Sequence, residues 1–200
     1  MREFNTVIIG VGGQGVITTM QIMAQAALEQ GYDVKTSEIH GLAQRGGSVP
    51  CHIRFGNKIY SPLVMQGEAH LIIALEPVEA LRACYYGSKE NKTVFLVNTY
   101  KMIPLSVPVI KEYYPRLDEI TQTIKNFAAK VVAFNASKIV KMMIGNIVLT
   151  NIFLLGYANS KGFIPLEKES FLAGIRETLP DKYVDINNKV FELGYKAGSS

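Results

Sequence analysis

Two cysteines and no long apolar run are what this 200-residue chain has to offer in two categories, and each shortage removes a class of function. An iron–sulfur cluster or a conventional zinc site needs about four closely spaced Cys or His ligands. Cys51 and Cys84 stand alone and far apart, with no C-x-x-C or C-x-x-H pair beside them, so no metal site is expected and both thiols should be reduced and in or near the core. The longest apolar stretch, residues 147–158, is broken by Thr150, Asn151 and Gly156 and falls short of the roughly 20 residues of a spanning helix. No membrane association is expected. The first strand begins almost at the N-terminus and leaves no room for a signal peptide, so the expectation is a cytoplasmic protein.

Excess charge is also scarce. Twenty-one basic against seventeen acidic residues leave a net charge of only +4, and Lys and Arg never cluster into a run, so the electrostatic footprint of a nucleic-acid binder is missing. What is present suits a globular chain: 48% hydrophobic and 19% charged residues can bury a sizeable core in one domain over residues 1–200.

The pattern along the chain is that of an α/β protein. An apolar run at residues 6–9 is followed by glycines and a helix-forming segment from Val16 to Leu28, then by a strand over 33–38. Residues 49–55 alternate, with Cys51, Ile53 and Phe55 on one face and Pro50, His52 and Arg54 on the other. Gly56-Asn57 then reads as a turn, and Lys58-Ile59-Tyr60 as the return strand of an inserted β-hairpin. Strands at 70–75, 93–97 and 131–134 alternate with helices at 77–85, 117–127 and 136–144, the last with Asn135 as its N-cap; residues 100–115 read as irregular. An apolar helix at 147–159 and closing helices at 166–179 and 187–194 form a helical C-terminal region. This is βαβ grammar, and it predicts a single Rossmann-like domain, a mostly parallel sheet flanked by helices.

Two glycine-rich segments carry the chemistry. Gly10-Val11-Gly12-Gly13-Gln14-Gly15 sits between the first strand and the first helix, and Gly10, Gly12 and Gly15 satisfy G-x-G-x-x-G. Such glycines allow a tight turn and a close backbone approach to a ligand, and the helix start presents N–H groups to an anion. Glu38 follows about 20 residues later, where a dinucleotide fold keeps its ribose-binding acid, so NAD is one reading. The same glycines serve equally well where a helix merely packs closely on a strand. The second segment, Ser37 to Ser48, places Glu38, His40, Gln44 and Arg45 around Gly46-Gly47. A fixed guanidinium beside a sharp glycine turn suits an anion, while an ion pair between Glu38 and Arg45 that holds the loop shut is the alternative. Glu76, at a strand end before Pro77, is either a ligand group or a helix-start carboxylate.

G-x-G-G-Q-G, followed by Ser37-Glu38-x-His40-Gly41-x-x-Gln44-Arg45-Gly46-Gly47-Ser48 and Tyr60-Ser61-Pro62, resembles the gamma-type subunit or domain of the 2-oxoacid:ferredoxin oxidoreductases. The version here is most like the indolepyruvate (arylpyruvate) branch. The likeness continues through Ala74-Leu75-Glu76-Pro77-x-Glu79-Ala80-Leu81-Arg82, Val97-Asn98-Thr99 and Asn151-x-x-Leu154-Leu155-Gly156, and so spans nearly the whole chain. The resemblance implies a subunit of a hetero-oligomer that oxidatively decarboxylates a 2-oxoacid, with coenzyme A taking the acyl group and ferredoxin the electrons. Thiamine diphosphate, Mg and [4Fe-4S] clusters would then sit on a larger partner subunit, since two cysteines cannot hold clusters and no Gly-Asp-Gly…Asn pattern is present. This chain would contribute an anion-handling surface made from Gly10, Gly12, Gly13, Gln14 and Gly15 together with Gln44, Arg45, Gly46, Gly47 and Ser48, taking either coenzyme A phosphates or a substrate carboxylate. Arg45, His40 and Glu38 are the candidates for a direct part in catalysis, and the isolated chain should be inactive. The competing view is a stand-alone NAD-binding oxidoreductase or regulatory domain, which leaves the Gln44–Ser48 segment without a purpose.

Overall fold

A computed structural model describes residues 3–39, 47–102 and 114–199. Six strands form one sheet in the order β2-β3-β1-β4-β5-β6: β1 (Glu3–Val11), β2 (Asp33–Glu38), β3 (Ser48–Gly56), β4 (Leu71–Ala74), β5 (Val94–Asn98) and β6 (Lys130–Phe134). Strands β1, β4, β5 and β6 run parallel, and β3 runs antiparallel to both β1 and β2. The seven helices of the described residues are α1 (Val16–Glu29), α2 (Pro77–Arg82), α3 (Leu117–Ile124), α4 (Ala136–Ile144), α5 (Thr150–Ser160), α6 (Lys168–Thr178) and α7 (Asp181–Ser199).

Strand alternation sends side chains to two cores. Ile8, Cys51, Ile53, Phe55 and Ile73 face a large core filled by α1 and by α4 through α7. Val7, Ile9, Ile72, Ala74 and Phe95 face a smaller one under α2 and α3. Burial of Phe153, Phe171 and Phe191, all at 1% exposure or less, stabilises the larger core by about 1.5–3 kcal/mol per side chain.

The expected hairpin is not formed as the alternation suggested. Residues 58–60 are not a strand, and β3 instead fills the gap between β2 and β1, pairing Phe55 with Val34 on one side and with Phe4 on the other. The physical reason is burial: Cys51, His52 and Ile53 are all at 1% exposure or less, so β3 needs cover on both edges and both faces. A three-residue return through the exposed Lys58 and Tyr60 could not supply it. The chain beyond β3 crosses the end of β2, where the Ile59 N–H donates to Asp33 Oδ2 at 2.8 Å.

Helix α5 is buried on nearly every side, as a central helix must be. It crosses α7 at two glycines: a Cβ on Gly156 would lie 2.1 Å from the Phe191 carbonyl oxygen, and one on Gly194 would lie 2.0 Å from that of Phe153. The last helix is far longer than the expected 187–194. Val184, Asn187, Val190, Phe191, Gly194 and Gly198 form its buried stripe, and three of these six are Asn or Gly, which hides the apolar period. Among the described residues no helix is long and apolar enough to cross a membrane.

Candidate functional site

The carboxyl ends of β1, β4 and β5 meet at one edge of the sheet, and the glycine turn sits over it. The Gln14 N–H donates to the Val11 carbonyl at 3.1 Å, closing the turn. The Gln14 side chain then reaches both ways, accepting from the Val11 N–H at 2.8 Å and donating to the Leu75 carbonyl at 3.2 Å. A Cβ on Gly10 would lie 2.7 Å from that side-chain oxygen, so Gly10 is required for Gln14 to fold inward. Gly13 is the exposed apex with φ near 100°. Gly15 ends the turn in the left-handed region and caps α1 with no side-chain hydrogen bond, which leaves the positive end of a fourteen-residue helix directed at this edge.

Of the second segment, His40, Gln44, Arg45 and Gly46 lie outside the described residues. Gly47 and Ser48 are described, and they bring the two glycine segments together: the Gly12 N–H donates to the Gly47 carbonyl at 3.0 Å. Glu38 is exposed at the end of β2. Because β3 intervenes, Glu38 stands two strands from β1, about 10 Å away at the usual strand spacing. In a dinucleotide fold the acid-bearing strand is next to the first one, so the geometry does not support Glu38 as a ribose ligand. The Val11, Gly12 and Gln14 amides of the turn are already bonded within the protein, which also leaves a pyrophosphate fewer donors than the motif implied.

Two carboxylates on the first turn of α2 complete the edge. Glu76 is the helix cap, accepting from the Val78 and Glu79 N–H groups at 2.7 and 3.1 Å, and Tyr114 donates its hydroxyl to the other oxygen. The helix-start reading of Glu76 is therefore the one its contacts describe. Glu79, at 6% exposure, accepts from the Ser48 hydroxyl and pairs with Arg82 at 3.2 Å. Burial pushes its carboxyl above the ordinary range, the Ser48 bond and Arg82 pull it back, and Glu76 adds to the rise. Burial and the Glu76 bond likewise push the Tyr114 hydroxyl up. Sequence reasoning met Glu79 as one residue of a matching motif, not as a site residue, and missed Tyr114, because nothing local says that either side chain turns back toward another segment.

Beside the turn lies a cleft of about 120 Å³ between Gln14, Asn98, Ser137 and Asn151 on its polar side and Tyr100, Met102 and Val148 on its apolar side. Its polar floor is internally bonded. Asn98 donates to the Leu75 carbonyl at 3.1 Å and to the Ser137 hydroxyl at 2.9 Å, and Ser137 shares a hydrogen bond with Thr150 at 3.1 Å. Among the described residues no three His, Cys, Asp or Glu side chains come together as metal ligands. Cys51 and Cys84 lie in the two different cores, on opposite faces of the sheet, so they could not ligate one cluster. The described site offers backbone dipoles, a helix terminus and buried carboxylates already in use, which is equipment for binding and positioning.

The chain is similar to known proteins along nearly its whole length. The model of the pyruvate ferredoxin/flavodoxin oxidoreductase family matches residues 5–197. The indolepyruvate oxidoreductase subunit IorB of Thermococcus kodakarensis is 42% identical over 198 residues, 98% of this chain and 96% of its own length. The gamma subunit of a keto/oxoacid ferredoxin oxidoreductase from Geobacter sulfurreducens superposes with a TM-score of 0.69 at 21% identity, covering 98% of each chain. A 2-oxoglutarate:ferredoxin oxidoreductase from Magnetococcus marinus, solved with 2-oxoglutarate, coenzyme A and succinyl-CoA bound, superposes at 0.71 and 15% identity, covering 99% of this chain and 31% of the other.

Proposed function

The chain belongs to the pyruvate ferredoxin/flavodoxin oxidoreductase family, and we propose that it is the gamma-type subunit of an indolepyruvate-type 2-oxoacid:ferredoxin oxidoreductase. The observation that carries this reading is the 42% identity to an indolepyruvate oxidoreductase subunit along nearly the full length of both chains. The complex decarboxylates a 2-oxoacid oxidatively, transfers the acyl group to coenzyme A and passes the electrons to ferredoxin. Thiamine diphosphate, with Mg, supplies the carbanion chemistry and the clusters carry electrons, both on a larger partner subunit. Two buried thiols in separate cores fit no cluster on this chain, so its residues bind and orient.

The anion they hold is a coenzyme A phosphate. The turn's Val11, Gly12 and Gln14 amides are bonded within the protein, so what suits phosphate is the start of the long helix α1, where Gly15 brings no side-chain hydrogen bond, and Arg45 supplies a guanidinium able to bind it bidentately. The Gly12 to Gly47 hydrogen bond supports the idea that both glycine segments serve one surface. A substrate carboxylate is the other anion of this chemistry, and the two are separated by which Michaelis constant moves.

Anaerobic purification of the tagged chain from its native cell should recover a larger partner together with iron and thiamine diphosphate, and the complex should reduce ferredoxin in the presence of indolepyruvate. In that complex Arg45→Ala should raise the KM for coenzyme A at least tenfold, since a charge-assisted hydrogen bond contributes about 1.5–3 kcal/mol. Intact assembly with unchanged kinetics would overturn the assignment of Arg45. Recovery of the chain alone, with NAD raising its thermal transition, would overturn the subunit reading in favour of a dinucleotide-binding domain.

A further inference from the structure

Gly47-Ser48 is where β3 begins: the register of β3 against β1 ends with Ser48 opposite Val11, and beyond that pairing the dipeptide is held at two further points. On one side its backbone accepts from the Gly12 N–H at 3.0 Å. On the other, the Ser48 hydroxyl donates to a carboxylate oxygen of Glu79, in helix α2. Glu79 is itself fixed. Its other oxygen faces Arg82, its backbone N–H is bonded to Glu76, and Glu76 is anchored in turn by Tyr114.

A carboxylate at 6% exposure is a costly residue to keep unless something requires it. Helix α2 has no need of a second capping acid, because Glu76 already takes the two available N–H groups. Nor does the pairing with Arg82 require burial, since that guanidinium is largely exposed and an exposed pair of this kind contributes about 1 kcal/mol or less. The contact that burial does serve is the one to Ser48.

We infer that Glu79 is a positioning residue: through Ser48 it pins the end of the β1–β3 ladder, holding Gly47 against the Gly12 N–H, and so keeps the two glycine segments together where they leave the sheet. This rests on the reading that those segments form one coenzyme A surface. The effect is local to the end of the β1–β3 ladder, because the Ser48 hydroxyl holds the one backbone bond that lies past its last paired residues. It follows that Glu79→Gln, which keeps an acceptor for Ser48, should behave almost as the native residue, whereas Glu79→Ala should not.

The test uses the assembled complex with its partner subunit, and two readouts. The first is kinetic: Glu79→Ala should raise the KM for coenzyme A about five- to tenfold, with a smaller effect on kcat and none on the KM for the 2-oxoacid. Glu79→Gln should restore most of the loss. Ser48→Ala should match Glu79→Ala, and the double variant should be no worse than either single one, because both remove the same contact. The second readout is hydrogen exchange of the peptide containing Gly12, which should accelerate about tenfold in Glu79→Ala and Ser48→Ala. Unchanged exchange in both variants overturns the inference. If Arg45→Ala raises the KM for coenzyme A while neither Glu79→Ala nor Ser48→Ala does, positioning is refuted and the coenzyme A reading survives. If exchange accelerates but no variant, Arg45→Ala included, moves that KM, the positioning stands and the coenzyme A reading falls. Should Glu79→Ala fail to assemble, Ser48→Ala removes the contact from its smaller side and carries both readouts alone.

Discussion

The side-chain amide of Asn151 donates to the carbonyl of Gly15 at 3.1 Å from 136 residues along the chain, and to the Thr19 hydroxyl at 3.0 Å. Helix α5 thereby holds the end of the glycine turn and the first turn of α1 in one grip. The Gly15 site is closed on that side, since a Cβ there would lie 2.6 Å from the Asn151 amide nitrogen and φ is +75°. At Gly13 φ is +100°, but an added Cβ meets nothing within 4 Å.

Gly15→Ala should therefore cost more than Gly13→Ala. The second substitution carries only backbone strain, about 1–2 kcal/mol; the first adds the displacement of Asn151. Asn151→Ala alone should cost about 1–3 kcal/mol by leaving buried partners short of a donor. Urea titrations of the three variants check the order, and equal losses at Gly13 and Gly15 would show that Asn151 moves aside freely.

A larger effect is expected where α5 crosses α7. A methyl on Gly156 or Gly194 meets a carbonyl oxygen of the facing helix at 2.1 or 2.0 Å, and backbone cannot yield as the end of a side chain can. Overpacking costs typically 1–3 kcal/mol and occasionally more, and a contact this short belongs at or above the top of that range. Gly156→Ala and Gly194→Ala should each lower the thermal transition by several degrees more than Gly162→Ala, whose Cβ enters open space. Calorimetry of the three variants decides it.

These contacts also show where the sequence was readable. The order of strands and helices followed from hydrophobic period and turn chemistry, as did the N-cap at Asn135, whose side chain accepts from the Lys138 N–H at 2.8 Å. What escaped is pairing across long separations. The alternation of residues 49–55 identified a strand correctly but could not say that its partners were β1 and β2. That outcome depends on both faces being buried, and periodicity within one strand reports only one face at a time. The closing helix expected at 187–194 stopped short, because Gly194 and Gly198 carry no apolar side chain to extend its period; only the neighbouring helix makes small residues necessary there. At the site, the glycine turn was legible because its φ values demand glycine, and Gln14 was legible only by resemblance. Glu79 and Tyr114 were not, because their partners Ser48 and Glu76 are 31 and 38 residues away.

The two thiols supply a chemical test of the core assignments. Burial pushes Cys51 up to about 12, with Glu38 adding to the rise, and Cys84 up to about 11. Only thiolate attacks an aromatic disulfide or an alkyl halide, and the two residues are at 0% and 7% exposure. At pH 8 the folded protein should titrate no thiol with an aromatic disulfide over an hour, and two in guanidinium chloride. One fast thiol in the native protein would show that one of the two cores opens to reagent.

His52 gives the fold a pH dependence with a definite sign. Its ring is at 1% exposure and stands edge-on to Tyr86 at 4.9 Å between centroids. Nδ1 accepts from the Val64 N–H at 3.2 Å, which places the ring proton on Nε2, and that nitrogen finds no partner among the described residues. Burial consequently lowers the pKa below its ordinary 6.5. The unfolded chain then binds a proton that the folded one refuses. The resulting stability is fully present above pH 6.5 and is lost as pH falls below it, by up to about 1.4 kcal/mol per pH unit. Glu79 acts the other way, because its raised carboxyl retains a proton in the folded state above 4.5 and its contribution weakens as pH rises. The difference between the native chain and His52→Gln isolates the imidazole. Native stability should fall more steeply than that of the variant between pH 6.5 and 5, with the two curves running parallel above pH 7. Parallel curves over the whole range would mean that His52 takes up its proton in the folded state, and so that water reaches Nε2.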